Sequence, residues 1–496
     1  MSTVFLAENP DVLSYPTADD YYSPKQKHPE YPWPDTTLSE KENGVYDLVR
    51  ECFRLTGYDD ENYGSRNWNP LGHVIAPGNT VLVKPNWVEN KNTNHSGRQG
   101  LECLVTHPSV IRAVLDYIVI ALKGTGRIIV ADAPMQGCDL EDLLEKGGYN
   151  KLFSFYRSAG ITIETADLRK YSVDTKYDGV FEVKKGQGTD FGSVKVSLDQ
   201  RSMHASKDQY DLQYKVSDYL LTDTEKYHHQ GKHIYEINKI ALEADVVINM
   251  PKPKTHRLAG MTAACKNLVG ITYEKASLPH RVPGNQKGHG DAYRKASFWK
   301  RSMERFDEKR TISSNKRQFA RSKINDLLMK ACFLIGSMIT GDSTRIGSWY
   351  GNDTIWRTVV DLNFILNYAD KNGIICKESQ RKIITIADLI IAGQGSGPVG
   401  PDPKHLGMIM MSDNSFLFDR ICCELMGFDY RKLPMLHSRK AARRSGYSSR
   451  EVIENEKIIT NRYGEQITAS FKGKAEWEFE PHPGWKGHIE KRKGRI

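Results

Sequence analysis

The 496-residue sequence lacks the signatures of several common protein classes. Its eight cysteines form no CxxC pair, and only Cys422 and Cys423 are adjacent, so neither a disulfide framework nor an iron–sulfur or zinc ligand set is indicated. The longest apolar stretches, 110–122 and 327–339, contain charged residues and fall short of the roughly 20 residues that a membrane helix needs. The N-terminus has no basic segment followed by an apolar run, so we expect no secretory signal and a cytoplasmic location.

Several catalytic signatures are also missing. The sequence contains no GxSxG elbow, no HExxH helix and no set of kinase motifs. The turn GQGSGP at 393–398 lacks both the GK[ST] ending of a phosphate-binding loop and the third glycine of GxGxxG. Serine hydrolases, zinc proteases and kinases are therefore not leading hypotheses.

The composition is that of a folded globular protein with a moderate positive charge. Hydrophobic residues make up 39% and charged residues 26% of the chain. Seventy Lys and Arg stand against 61 Asp and Glu, which gives a net charge of +9. This balance favours anionic partners, and phosphorylated small molecules fit it as well as nucleic acids do.

The order of the hydrophobic patterns predicts an α/β fold with a mostly parallel sheet and helices on both faces. Apolar, β-branched strands are predicted to begin near residues 80, 127, 161, 245 and 382. Helices are predicted over 38–55, 109–123, 139–159 and 258–268, the second beginning next to Pro108.

We expect one core domain with additional segments at both ends of the chain. Residues 1–75 are predicted to be an N-terminal extension packed on the core, and residues 438–496 a basic C-terminal extension. The core, 76–437, contains a β-rich insert at 170–230 and a basic helical insert at 285–350. The basic tract at 300–323 is interrupted by acidic and apolar residues, so it predicts solvated helices rather than a nucleic-acid-binding arm.

Polar side chains follow three of the predicted strands at their carboxyl ends. Asn86 follows the first strand, Asp132 ends the second, and PKPKTH, with Lys252, Lys254 and His256, follows the fourth. Open α/β sheets bind ligands at this edge, so we expect these groups to share one crevice. Closely spaced lysines in a proline-restricted loop suit a phosphate or a carboxylate.

These positions give a set of candidate site residues. His256 is predicted to move a proton, with Lys254 and Asp132 as further catalytic residues. Asp132, His107 and His256 form a candidate metal-ligand set, although His107 is also placed to cap the helix that begins at Pro108. The predicted substrate-binding residues are Lys84, Asn86, Lys252, Lys266, Asn267, Gly395 and Gly397.

Two of these interpretations have open alternatives. The glycine-rich turn that contains Gly395 and Gly397 could bind an anion through its backbone amides, or it could be a tight structural turn. His228, His229 and His233 have a spacing that permits a metal site, but a surface loop is the favoured interpretation.

The motifs VLVKPNWV, RIIVADAP, ADVVINMPKPKTH, KNLVG and GQGSGPVGPDP, in this order, resemble those of domain of unknown function family 362, from about residue 80 to 437. The resemblance implies an α/β enzyme scaffold without an assigned reaction. Some members carry ferredoxin-like cysteine clusters, which this chain lacks. The matching positions are Lys84, Pro85, Asn86, His107, Asp132, Lys252, Lys254, His256, Lys266, Asn267 and Gly397.

The order of elements is also similar, in architecture alone, to the scaffold of lactate racemase, where lysine and histidines serve a nickel cofactor.

The sequence therefore predicts an enzyme that binds an anionic metabolite, with phosphorylated compounds as the favoured class. A transferase or isomerase is preferred, and assistance by a divalent metal is left open. Two alternatives remain. One is a redox or metallocofactor protein using nickel or iron, and the other is a non-catalytic binder of nucleic acid or another polyanion, with nucleic acid the less expected partner. The substrate, the metal and the oligomeric state stay open.

Overall fold

The computed structural model describes residues 2–177, 180–185, 190–216 and 224–491. Its main feature is a large mixed sheet with the strand order β16-β15-β1-β14-β13-β10-β2-β3-β4, to which the β11–β12 hairpin is attached. The strands are β1 (Thr3–Glu8), β2 (Thr80–Pro85), β3 (Arg127–Asp132), β4 (Ile163–Asp167), β5 (Tyr171–Tyr177), β6 (Val180–Lys185), β7 (Ser193–Ser197), β8 (His228–His229), β9 (Lys232–Asn238), β10 (Val246–Met250), β11 (Lys254–His256), β12 (Gly260–Thr262), β13 (Lys382–Ser396), β14 (Gly400–Ser412), β15 (Lys457–Thr460) and β16 (Gly464–Ile467).

Helices cover both faces of this sheet. They are α1 (Gly44–Leu55), α2 (Gly97–Glu102), α3 (Pro108–Leu122), α4 (Leu140–Lys146), α5 (Tyr149–Ser158), α6 (Lys239–Glu243), α7 (Ala264–Asn267), α8 (Phe298–Asn315), α9 (Phe319–Thr340), α10 (Ile355–Tyr368), α11 (Ser415–Leu425), α12 (Pro434–His437), α13 (Arg439–Arg444) and α14 (Arg450–Glu454). Helices α1, α3 and α5 pack on one face, and α6, α10 and α11 pack on the other.

The strands β13, β10, β2, β3 and β4 run parallel to one another, which confirms the predicted α/β fold. Side chains alternate between the two cores along each strand. In β2, Val81 and Val83 enter the core beneath α1 and α3, whereas Leu82 enters the opposite core. Because both faces are buried, β13, β10, β2 and β3 are mostly apolar in sequence, whereas β4, at the edge of the sheet, is not.

Two helix predictions are corrected by backbone and tertiary constraints. The predicted helix 139–159 breaks into α4 and α5 at Gly147 and Gly148, the second of which has φ +79°. The predicted helix 258–268 is wrong over its first half, where β11 and β12 form an antiparallel hairpin that pairs with β13. Only α7 is helical there, and the Asp419 carboxylate accepts hydrogen bonds from its first amides, those of Ala264 and Cys265.

The structure places the following elements in and beside the two predicted inserts. Strands β5 and β6 form an antiparallel hairpin, and β7, β9 and β8 form a separate antiparallel sheet. Residues 178–179, 186–189 and 217–223 of the predicted β-rich insert lie outside the described residues, as do residues 492–496 of the C-terminal extension. The basic tract forms α8 and the first turn of α9.

Both terminal extensions contribute to the main sheet. Strand β1 pairs with β14 and β15, and β15 pairs with β16. The N-terminal segment is also tied to β13 by a buried polar cluster. Tyr15 Oη donates to Asp388 Oδ1 at 2.6 Å, and Lys252 Nζ donates to Asp388 Oδ2 at 2.9 Å. The Tyr15 ring stacks on His107 with 3.9 Å between ring centroids.

The first prediction concerns this cluster. The Asp388→Asn variant leaves the fully buried Lys252 ammonium without its counterion. We expect a loss of about 3–5 kcal/mol in the free energy of unfolding, measured by urea denaturation. In the control Glu465→Gln, which breaks the exposed pair with Lys457, the expected loss is below about 1 kcal/mol. Equal losses in the two variants would contradict this role of Asp388.

Candidate functional site

A cleft lies at the carboxyl edge of the parallel strands. It encloses about 720 Å³ of space, part of which is open to solvent. It brings together six of the predicted site residues, and its polar lining is Asn86, Asp132, Lys254, His256, Arg257, Thr262, Lys266, Asn267, Lys275 and His280. The expected crevice is therefore formed by the ends of β2 and β3, the β11–β12 hairpin and the segment that follows α7.

Asp132 at the end of β3 is held by three donors. Its Oδ1 accepts from Lys84 Nζ at 2.7 Å and from the Ala133 amide at 2.8 Å, while Oδ2 accepts from the Trp87 amide at 2.7 Å. Lys84 and Asp132 are both buried, and Gly270 passes directly against them. This carboxylate neutralises Lys84 and fixes the two loops that leave β2 and β3.

Lys254 is positioned by a chain of side-chain amides. Its Nζ donates to Asn86 Oδ1 at 2.6 Å and to the Leu104 carbonyl. Asn86 Nδ2 donates to Asn267 Oδ1 at 2.9 Å, and Asn267 Nδ2 donates to Asn249 Oδ1 at 2.8 Å. Each amide thus fixes the orientation of the next, so that the Asn86 oxygen points to Lys254.

Three lysines of the cleft have no carboxylate partner among the described residues. Lys254 is held by the amide and carbonyl above, Lys275 Nζ donates to the Ala133 carbonyl at 2.9 Å, and Lys266 makes no hydrogen bond or ion pair within the described ranges. Burial lowers the pKa of Lys254 and of Lys275 to about 7 and that of Lys266 to about 8. At pH values below these pKa values, the cleft therefore contains positive charge that no carboxylate of the described residues neutralises.

His256 presents an N–H donor to the cleft. Its Nδ1 accepts from the amides of Leu258 at 3.0 Å and Ala259 at 3.3 Å, which assigns the ring proton to Nε2. Burial, together with the charge of Lys266, lowers the pKa of His256 well below its usual value. The ring is therefore neutral and suited to donate a hydrogen bond to an anion.

Two other predicted binding residues, Lys84 and Lys252, lie beneath the cleft instead of lining it. Lys84 is paired with Asp132 and Lys252 with Asp388, and both side chains are fully buried. Their charges are thus already compensated by the fold.

The glycine-rich turn does not offer the two predicted amides to a ligand. Gly395 N donates to the Glu480 carbonyl at 2.8 Å, and Gly397 N donates to the Gly395 carbonyl at 2.9 Å. Gly397 also packs so closely on Thr255 that a Cβ there would lie 1.9 Å from the Thr255 carbonyl oxygen. This geometry is that of the tight structural turn, the alternative left open by the sequence, although the neighbouring Pro398 lines the cleft.

The candidate metal ligands are not brought into one group. His107 caps α3, since its Nδ1 accepts from the Ser109 amide at 3.2 Å. Within the described ranges, no three His, Cys, Asp or Glu side chains form a group suited to a metal ion. His228 and His233 are buried on the β8–β9 hairpin with their Nδ1 atoms 3.2 Å apart, rather than on a surface loop.

Sequence reasoning missed Arg257, Lys275 and His280 as lining residues. His280 Nδ1 donates to the Leu278 carbonyl at 2.7 Å, and burial lowers its pKa to about 3. In the sequence, only the closeness of Lys275 and His280 to KNLVG points to a place in the cleft. No pattern indicates that this segment returns to the end of β3.

Comparison with known proteins assigns the family. The model of the family described as "Domain of unknown function (DUF362)" matches residues 81–191 and 202–424, which is more than half of the chain, so the chain belongs to this family. It is similar to the thylakoid-associated protein sll1697 of Synechocystis sp., with 21% identity over 369 residues that cover 74% of this chain and 68% of that protein. In the described part of the chain, no helix is both long and apolar enough to cross a membrane.

The second prediction tests the close packing beneath the cleft. A Cβ at Gly270 would lie 1.9 Å from Asp132 Oδ1 and 2.6 Å from Lys84 Nζ, so Gly270→Ala must displace this ion pair. We expect a loss of about 2–4 kcal/mol in the free energy of unfolding. The control Gly288→Ala introduces a methyl group into open space and should change stability by less than about 0.5 kcal/mol. Equal stability of the two variants would refute the role given to Gly270.

Proposed function

We propose that this member of the DUF362 family is an enzyme that binds an anionic metabolite, with phosphorylated compounds as the favoured class, in the cleft at the carboxyl edge of its parallel sheet. The reaction type stays open, with a transferase or isomerase preferred.

The observation that carries this proposal is the unequal pairing of the lysines. Lys84 and Lys252, which do not line the cleft, are each paired with an aspartate. Lys254, Lys266 and Lys275, which line it, have no carboxylate partner among the described residues. Buried like charges repel one another in a low dielectric, so a bound dianion would remove an unfavourable energy that the free protein carries.

The remaining groups complete an oxyanion site. We assign the binding of anionic oxygens to Lys254, Lys266 and Lys275, and a further hydrogen bond to His256 Nε2. Asn86 and Asn267 hold Lys254 in place through the amide chain. Asp132 acts as a positioning residue, because its oxygens are already engaged by Lys84 and two backbone amides.

Proton transfer is assigned to Lys254 in this proposal. Its pKa of about 7 allows the amine to exchange a proton near neutral pH. His256 was the first candidate from the sequence, but its Nδ1 is committed to two amides and its ring is held neutral. We therefore give His256 the role of hydrogen-bond donor.

The alternatives receive less support from the geometry. No observation within the described residues favours a nickel or iron cofactor, and divalent-metal assistance remains a prediction. The polyanion hypothesis depends on the basic tract at 300–323 and on the basic C-terminal tail. Within the tract, Arg310 is paired with Asp307 and Asp326. A cytoplasmic location also stays a prediction, because the name of the Synechocystis relative associates that protein with thylakoids.

The third prediction tests anion binding directly. Removing one positive charge from the cleft, in Lys266→Met or Lys275→Met, should weaken sulfate binding by at least roughly tenfold, because a charge-assisted contact is lost. The measurement is isothermal titration calorimetry at low ionic strength. The control Lys316→Met removes an exposed charge of the basic tract and should leave the affinity unchanged. A reversed result, with loss only in the control, would favour the polyanion hypothesis.

The fourth prediction concerns pH. The cleft lysines are charged below their pKa values of about 7 to 8 and neutral above them. Sulfate stays a dianion throughout, so its affinity should fall by at least roughly tenfold between about pH 6 and about pH 9. Calorimetry over this range gives the profile, and a flat one would contradict the assignment of these lysines as the anion ligands.

A further inference from the structure

Helix α9 carries a row of large apolar side chains on its exposed side. Ile324 is 58% exposed, Leu327 60%, Leu334 61% and Met338 76%. These residues are separated by three, seven and four positions, which places them on one face of the helix. Surface helices normally turn such a face towards the core, and a contiguous exposed apolar patch marks an interaction site.

The opposite face of α9 is already buried: Met329 and Cys332 belong to a small hydrophobic cluster, and three polar residues lie towards the N-terminal end of the helix. Ser322, Asn325 and Asp326 are buried towards α8. Ser322 Oγ lies 2.6 Å from Ser314 Oγ of α8, and Asp326 forms an ion pair with Arg310 of α8 at 3.6 Å as well as one with Lys330 of α9 itself at 2.7 Å. Polar contacts therefore help to fix the rotation of α9 on α8, which leaves the apolar row turned outward.

Basic side chains border the apolar row. With about 100° between successive residues, Lys323 and Lys330 fall on one border and Arg321 on the other. Between residues 316 and 340 the chain has five Lys or Arg, and Asp326, which is buried, is the single acidic residue. Arg321 and Lys323 are exposed, and they form no ion pair with the described part of the chain.

We propose that this face of α9 binds to an anionic lipid surface. The apolar row would enter the boundary between headgroups and acyl chains, and the basic borders would contact the anionic headgroups. A second copy of the chain is the less suitable partner. If two copies met through this face, their basic borders would lie against each other, and α9 has no exposed acidic residue to pair with them.

This binding is peripheral and independent of the anion cleft. Helix α9 is not apolar enough to cross a membrane, so it would lie along the surface. The apolar row and its basic borders include none of the cleft lysines, so lipid binding by α9 does not depend on the proposed function of the cleft.

The test is co-sedimentation of the full chain with vesicles of phosphatidylcholine, with and without about 30% phosphatidylglycerol. We expect at least roughly tenfold stronger binding to the anionic vesicles. The double variant Leu327→Ser/Leu334→Ser should lose at least roughly tenfold of this affinity. The double variant Arg321→Gln/Lys323→Gln should bind anionic vesicles about fivefold more weakly for each positive charge removed.

The control is Ile374→Ser, because Ile374 is 64% exposed and lies outside α9. It should bind anionic vesicles as the wild type does. If the double serine variant proves unstable in thermal unfolding, Met338→Ser, at the most exposed position of the row, replaces it. Absence of binding to anionic vesicles, or equal binding by the serine variants, overturns the proposal. A dimer in sedimentation equilibrium that the serine variants dissociate would also overturn it, since the row would then belong to a second copy.

Discussion

The structure depends on how it accommodates several lysine ammonium groups at one end of a buried sheet. Moving a charge out of water is costly unless a counterion or hydrogen bonds compensate it. The fold compensates Lys84 with Asp132 and Lys252 with Asp388, both within hydrogen-bond distance. Lys254, Lys266 and Lys275 share the cleft and have no carboxylate partner in the described part of the chain, although neutral oxygens accept hydrogen bonds from Lys254 and Lys275. The free protein therefore bears a cost that a bound anion would relieve.

Close backbone packing makes this arrangement possible. Gly270 allows its segment to pass directly over the Lys84–Asp132 pair, and Gly397 allows the turn after β13 to contact the backbone of Thr255. The β11–β12 hairpin then places Lys254 beside Gly393 of β13. The charge pattern of the cleft is thus set by strands and tight contacts rather than by long surface loops.

The parallel core could be predicted because β2, β3, β10 and β13 are mostly apolar and because helices separate β2, β3 and β4 along the chain. Four cleft residues, Asn86, Asp132, Lys254 and His256, could be predicted because parallel strands end at one edge. Lys266 and Asn267 could be added only from the charge and restricted backbone of KNLVG. The counterions could not be predicted. Asp388 and Tyr15 are 373 positions apart, and no local pattern indicates that they meet at Lys252. The hairpin at 254–262 was also missed, because its pairing with β13 overrides the helical appearance of a small-residue segment.

The most direct measurement is anomalous diffraction from crystals soaked in selenate, which marks the position of a bound dianion. We predict a selenium peak in the cleft, at a position from which selenate oxygens are within hydrogen-bond distance of the amines of Lys254, Lys266 and Lys275. Selenate bound only along the basic helices α8 and α9, with the cleft empty of anion, would contradict it.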